Sequence, residues 1–289
     1  MPSGVIGVPS GTGAYPAIAE SRADASGYTI YRPAKMPRGK LPLVLWGNGG
    51  CRDNGLSASH FLREIASHGY FVIANGAPRE ERKVQDKLVP FTGPPPPPPG
   101  TPMAPPRATP DQTTYQQLLG GIDWAQKSHF ARQVDTSRVA VMGHSCGGLQ
   151  ALAAGADPRI DTVVAFASGV YIRANTGVSG INIVKEDLKK LHTPVAYILG
   201  GPTDIAYPNG TEDVERINHV PVFLANQPVG HGGTFALANG GDWARVGTAW
   251  LDWQLKKDRQ AGAQFTGSAC GLCTAQGWTI VRKQFPEKP

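Results

Sequence analysis

The chain has 289 residues, 40% hydrophobic and 17% charged, with 36 glycines, 26 prolines and a net charge of +6. That balance excludes a coiled coil and a charged disordered chain, and no run of about 18 apolar residues is present to form a membrane-spanning helix. Lysines and arginines are scattered, densest at "DLKKLH" and "LKKDRQ". Both stretches read as solvated helix faces, and without a recognition motif beside them nucleic-acid binding is not expected.

The opening residues, "MPSGVIGVPSGTGAYP", lack the basic and apolar regions of a signal peptide. The chain is either cytoplasmic or written without its leader. "GYTIYRP" (27–33) alternates as a strand does, and "LPLVLWGNGG" (41–50) is a buried apolar run ending in glycine. "LSASHFLREIASHG" (56–69) puts Phe61, Leu62 and Ile65 on one helical face, and "YFVIANGAP" (70–78) is the next strand. A polar, proline-rich stretch (79–110) follows. Its run "GPPPPPPGTPMAPP" (93–106) favours polyproline II and reads as a stiff surface loop rather than a ligand for an SH3-type groove.

"DQTTYQQLLGGIDWAQKS" (111–128) is a helix with Leu118, Ile122 and Ala125 in phase. "SRVAVMGHS" (137–145) is a strand and "CGGLQALAAG" (146–155) a helix of small residues. "DTVVAFASGV" (161–170), "TPVAYILGG" (193–201) and "VPVFLANQPV" (220–229) are buried strands, with a helical "IVKEDLKKLH" between the first two. "GDWARVGTAWLDWQLKK" (241–257) closes the pattern, with Val246, Trp250 and Trp253 on one face. This alternation predicts an α/β protein: a mostly parallel central sheet with helices on both faces. No boundary or repeat divides it, so residues 1–289 are expected to form one domain. A proline-rich loop at about 90–110 and a tail at 258–289, with a short strand "GWTIVRK", complete it.

"GHSCG" (143–147) lies between a predicted strand and a predicted helix and fits G-x-S-x-G. On such a turn the nucleophile's backbone is strained, and residues two positions away on each side approach too closely for a Cβ. Only Ser145 has glycines at both distances, so Ser145 is the predicted nucleophile rather than Cys146. An acid and then a histidine should follow in chain order. His231, in "PVGHGGTF", lies past the carboxyl end of its strand, where such loops carry chemistry. His219 stands at the wrong end of that strand and reads as a surface or cap histidine. Asp204, in "GGPTDIAYP", is the predicted acid, while Asp213 in "TEDVERI" reads as a solvated charge. Two backbone N–H groups should form an oxyanion hole: that of Cys146, and one from "LWGNGGC", with Asn48 first and Gly49 second.

The ordered set "WGNGG", "GHSCGG", "PTDIAYP" and "GHGG" resembles the α/β-hydrolase superfamily of serine esterases, over roughly residues 27–257. Within it the chain looks like the cutinase-like polyester hydrolases and the dienelactone-hydrolase-related esterases. It departs from those polyester hydrolases in carrying Cys146 where they usually have Met, Asn48 where they have an aromatic residue, and the proline-rich segment. The resemblance implies hydrolysis of a carboxylic ester through an acyl-enzyme, on a small or polymeric ester substrate such as a plant-wall ester or polyester. It implies no cofactor and no metal, and a monomer. A lactone hydrolase, a peptidase and an inactive hydrolase-fold binding protein are the alternatives.

Four cysteines remain: Cys51, Cys146, Cys270 and Cys273. "CGLC" lacks the further ligands a zinc site needs and sits in a tail, unlike a redox motif. A local disulfide or two free thiols are the readings left, and the disulfide would favour a secreted or periplasmic protein over a cytoplasmic one. Cys51 reads as a small buried residue. On these assignments Ser145→Ala should abolish turnover of p-nitrophenyl esters, whereas Cys146→Ala should keep substantial activity; the reverse pattern would make the thiol the nucleophile.

Overall fold

The computed structural model describes residues 3–89, 112–172 and 181–285. The proline run at 93–106 lies outside them. Ten strands form one sheet among the described residues: β1 Gly4–Ser10, β2 Ala17–Ser21, β3 Tyr28–Pro33, β4 Leu41–Gly47, β5 Phe71–Asn75, β6 Val134–His144, β7 Thr162–Phe166, β8 Val195–Leu199, β9 Val222–Asn226 and β10 Thr279–Lys283. Their order is β1-β2-β3-β5-β4-β6-β7-β8-β9-β10. The six strands from β5 to β9 are mutually parallel; β3, β2 and β1 extend one edge and β10 the other, each by antiparallel pairing to its neighbour.

The apolar runs are continuous because the central strands are covered on both faces. In β4 every residue is buried, with Val44 and Trp46 in one core and Leu43 and Leu45 in the other. The first core takes α1 (Ser59–Ser67) and α5 (Gly241–Lys256); the second takes α2 (Tyr115–Lys127), α3 (Cys146–Ala154) and α4 (Tyr207–Arg216). α1 and α3 are buried almost all round, whereas α2 and α5 bury one side, and apolar residues lead the contact in each. Phe61, Leu62 and Ile65 do so for α1, Leu118, Ile122 and Ala125 for α2, and Trp243, Val246 and Trp250 for α5. Thr114 starts α2 by accepting from the Gln117 amide at 3.1 Å, which satisfies one donor of its open first turn. The mixed α/β class and the mostly parallel sheet are therefore as expected.

Three details differ from expectation. β1 and β2 carry no alternating pattern; antiparallel pairing along β3 makes them strands, a tertiary effect overriding weak local preference. "VKEDLKK" forms a 3₁₀ turn over Lys185–Lys190, capped by Asp187, whose carboxylate accepts the Val184 amide at 2.9 Å. The tail is integral: β10 pairs with β9, and Phe265 and Phe285 pack on Trp250 and Phe223. Cys270 and Cys273 are disulfide-bonded within it, and α6 (Arg259–Gly262) leads into it.

Asp213 is a correction. It is fully buried, not solvated, and accepts from Lys185 Nζ at 2.7 Å, the Val170 amide at 2.7 Å and the Tyr197 hydroxyl at 3.2 Å. One helical turn rotates its carboxylate inward beside Val214, which no charge count reveals. Burial pushes the Asp213 carboxyl above its ordinary value, and Lys185 offsets part of this. A raised carboxyl favours the fold below its unfolded value and loses that contribution as pH rises. Lys185→Met should therefore lower unfolding free energy by roughly 3–5 kcal/mol at pH 8 in urea titrations, and by less at pH 5, where Asp213 more readily takes a proton.

Candidate active site

The site begins with crowded backbone at the carboxyl ends of β4 and β6. A Cβ at Gly143 would lie 2.1 Å from the Gly147 carbonyl oxygen, and one at Gly147 would lie 2.0 Å from the Gly47 carbonyl oxygen. Glycines at these positions let β6 turn directly into α3. Ser145 stands on the turn at φ 53° and ψ −118°, a conformation costly for a residue with a Cβ. The surroundings hold it there: its amide donates to the Phe166 carbonyl at 2.9 Å, and its carbonyl accepts from Ser168 Oγ at 2.7 Å.

Two neighbouring loops bring the other groups. Gly230, after β9, donates its amide to the Gly200 carbonyl, after β8, at 2.7 Å, and a Cβ at Gly200 would lie 2.0 Å from the Gly230 oxygen. This contact ties the loop of Asp204 to the loop of His231. His231 Nδ1 is 2.7 Å from Asp204 Oδ1, and His231 Nε2 is 2.9 Å from Ser145 Oγ. Asp204 is 1% exposed. Burial alone would raise its carboxyl. The bond from His231 and the Ala206 and Gly200 amides outweigh that, so the group is held below its ordinary value. With Asp204 ionised, Nδ1 carries the proton and donates, leaving Nε2 to accept from the Ser145 hydroxyl. The structure thus brings Ser145, Asp204 and His231 together in one chain of hydrogen bonds. His219 lies elsewhere, donating to the Leu191 carbonyl at 2.9 Å.

Ser145 and His231 open onto a cleft of about 580 Å³. Trp46 and Phe235 give it aromatic walls, Leu88, Val89 and Ile205 apolar ones, and Arg52 and Arg82 positive charge. Leu88 and Val89 belong to the 79–110 stretch, so the described part of that stretch walls the site. No group of residues suited to holding a metal occurs among the described residues.

Cys146 is the first residue of α3, where backbone N–H groups have no partner within the helix. Asn48 is fully buried. Its side chain accepts from Trp46 Nε1 and Ser57 Oγ, both at 3.0 Å, and donates to the Arg52 and Asn75 carbonyls. The part of this turn that reaches the cleft is Gly49 and Gly50. Cys51 is buried as expected, but it is also bonded to Cys146, with Cα atoms 5.2 Å apart at a sequence separation of 95. Sequence spacing held no signal for this pairing, because two distant loops meet only once β4 and β6 lie side by side.

His144, the first variable position of G-x-S-x-G, was not singled out by sequence. Its Nε2–H donates to the His231 backbone carbonyl at 2.8 Å, and its ring lies on Phe235 with centroids 4.9 Å apart. No protein-family model matches the chain, and no curated protein is significantly similar to it.

Burial first, and His231 second, push the His144 imidazole down to about 3. A histidine lowered from 6.5 stabilises the fold fully above 6.5 and progressively less as pH falls toward 3, because the unfolded chain binds the proton first. His144→Phe should therefore flatten the acid limb of unfolding free energy between those values. It should also lower kcat on any substrate that uses His231, since the His231 backbone loses its anchor. An unchanged acid limb would mean that the fold does not hold His144 neutral.

Proposed function

We propose that the chain is a serine carboxylic ester hydrolase on an α/β-hydrolase fold. The observation that carries this reading is the Ser145 Oγ to His231 Nε2 to Asp204 relay, open to a cleft at the strand ends. Ser145 Oγ attacks the ester carbonyl carbon as its proton passes to His231 Nε2. Asp204 stabilises the imidazolium. The negative oxygen of the tetrahedral intermediate is met by the Cys146 amide and an amide of the 48–50 turn. The C–O bond to the alcohol breaks, and His231 returns the proton to the leaving oxygen. Water, deprotonated by the same histidine, then cleaves the acyl-enzyme to release the acid.

The aromatic and aliphatic walls suit an ester with apolar parts. Val89 and Ile205 line the cleft yet are 65% and 48% exposed, which favours a substrate longer than the cleft, such as a polyester or wall-bound ester. Two disulfides support an oxidising, exported location. Among the described residues no helix is long and apolar enough to cross a membrane.

The reading is tested with p-nitrophenyl acetate and butyrate against peptide p-nitroanilides. The esters should be turned over and the anilides left intact. His231→Ala should lower kcat by about 10³-fold or more. A fluorophosphonate should add its mass to the Ser145 peptide. Inert wild type, or faster cleavage of the anilides, would overturn the assignment.

A further inference from the structure

The Cys51–Cys146 bridge crosses the two segments that would supply the oxyanion donors. Cys146 follows Ser145 directly, and its amide is one donor. Cys51 ends the turn whose Gly49 and Gly50 face the cleft. That turn is locally unfavourable: Gly50 has φ 65° and Cys51, which has a Cβ, has φ 51°. Its internal support is a Cys51 amide to Asn48 carbonyl bond of 3.0 Å, a longer Arg52 amide to Gly49 carbonyl bond of 3.5 Å and the Asn48 side-chain amide on the Arg52 carbonyl at 3.2 Å.

The Asn48 side chain anchors the start of the turn to Trp46, Ser57 and Asn75, and two attachments hold its Cys51 end. On one side the Cys51 carbonyl accepts the Thr113 amide at 2.8 Å and Thr113 Oγ1 at 3.1 Å. On the other side is the disulfide. Both cysteines are almost wholly buried, so the bridge is shielded from solvent and points away from the cleft, from whose walls both residues are absent.

We propose that Cys51 and Cys146 are positioning residues for transition-state stabilisation: their disulfide holds the Gly49–Gly50 turn in register with the Cys146 amide, so that both donors meet the same oxygen. The proposal rests on the ester-hydrolase reading of Ser145. The donors act on charge that develops only in the transition state, so a misplaced turn costs kcat and leaves ground-state binding nearly untouched. The expectation that Cys146→Ala keeps substantial activity is replaced. Such a change removes a crosslink between the two donors as well as a thiol.

The test compares wild type, Cys51→Ala/Cys146→Ala, and Cys270→Ser/Cys273→Ser, which opens the tail bridge alone. With p-nitrophenyl butyrate the first double variant should lose about 10- to 100-fold in kcat with KM within about threefold. Its affinity for phenylboronic acid, which forms a tetrahedral adduct on the serine, should fall in parallel. The tail variant should keep wild-type kcat even where its melting temperature drops. If the first double variant is insoluble, folded wild type is treated with dithiothreitol, whose two thiols become a cyclic disulfide as Cys51 and Cys146 gain two electrons and two protons. Alkylation and mass spectrometry then count the opened bridges, and the tail variant reduced in the same way shows which bridge matters. A lowered melting temperature with unchanged kcat and boronate affinity would make the bridge a structural staple only and overturn the proposal. Wild type inert toward the ester and toward fluorophosphonate would instead overturn the reading of Ser145 itself.

Discussion

Everything at the site depends on how closely three backbones approach one another. Gly47, Gly143 and Gly147 let the ends of β4 and β6 and the start of α3 meet without side chains between them. That contact fixes the sharp turn bearing Ser145. It also sets the distance between the two loops that flank Ser145. A single Cβ at Gly143 or Gly147 would move backbone rather than a flexible side-chain tip, and packed interiors do not absorb such a shift cheaply.

A second backbone contact, Gly200 on Gly230, does the same for the acid and the histidine. Parallel pairing of β8 with β9 places their carboxyl ends together, and the two glycines bring the following loops into hydrogen-bonding range. The electrostatics follow from this geometry. Asp204 is buried yet held below its ordinary value because three donors converge on its carboxylate, His231 Nδ1 and the Gly200 and Ala206 amides. His144 lines the cleft and is partly buried, and the loss of water around its ring lowers the imidazole even though the bond from Nε2 to the His231 carbonyl favours the charged form. The pocket's ionised acid and its neutral second histidine are thus products of the same packing.

Much of this was legible in the chain. Apolar runs bounded by glycine marked β4 to β9, because strands covered on both faces need no polar alternation. The order Ser145, Asp204, His231 was legible because each stands just past the end of a recognisable strand, and strand ends of a parallel sheet face one side. β1 and β2 were not legible, since pairing rather than composition makes them strands. Asp213 was misjudged because charge is visible in a sequence and the direction of a side chain on its helix is not. The Cys51–Cys146 pair was missed for a related reason: the stretch between them, at a sequence separation of 95, includes two strands and two helices whose arrangement has to be known first.

The sequence by itself determined the α/β class, the strand-turn-helix around Ser145 and the candidate residues, because these depend on local spacing, on glycines without a Cβ and on the periodicity of burial. Tertiary structure decided which atoms meet: His231 on Ser145 and Asp204, His144 on the His231 carbonyl, Lys185 on Asp213, and one sulfur bond across the turn beside Ser145. The physical reason is the same in each case. These contacts join residues far apart in the chain, and they exist only where the sheet has brought two strand ends or a strand and a helix to a separation of a few atoms.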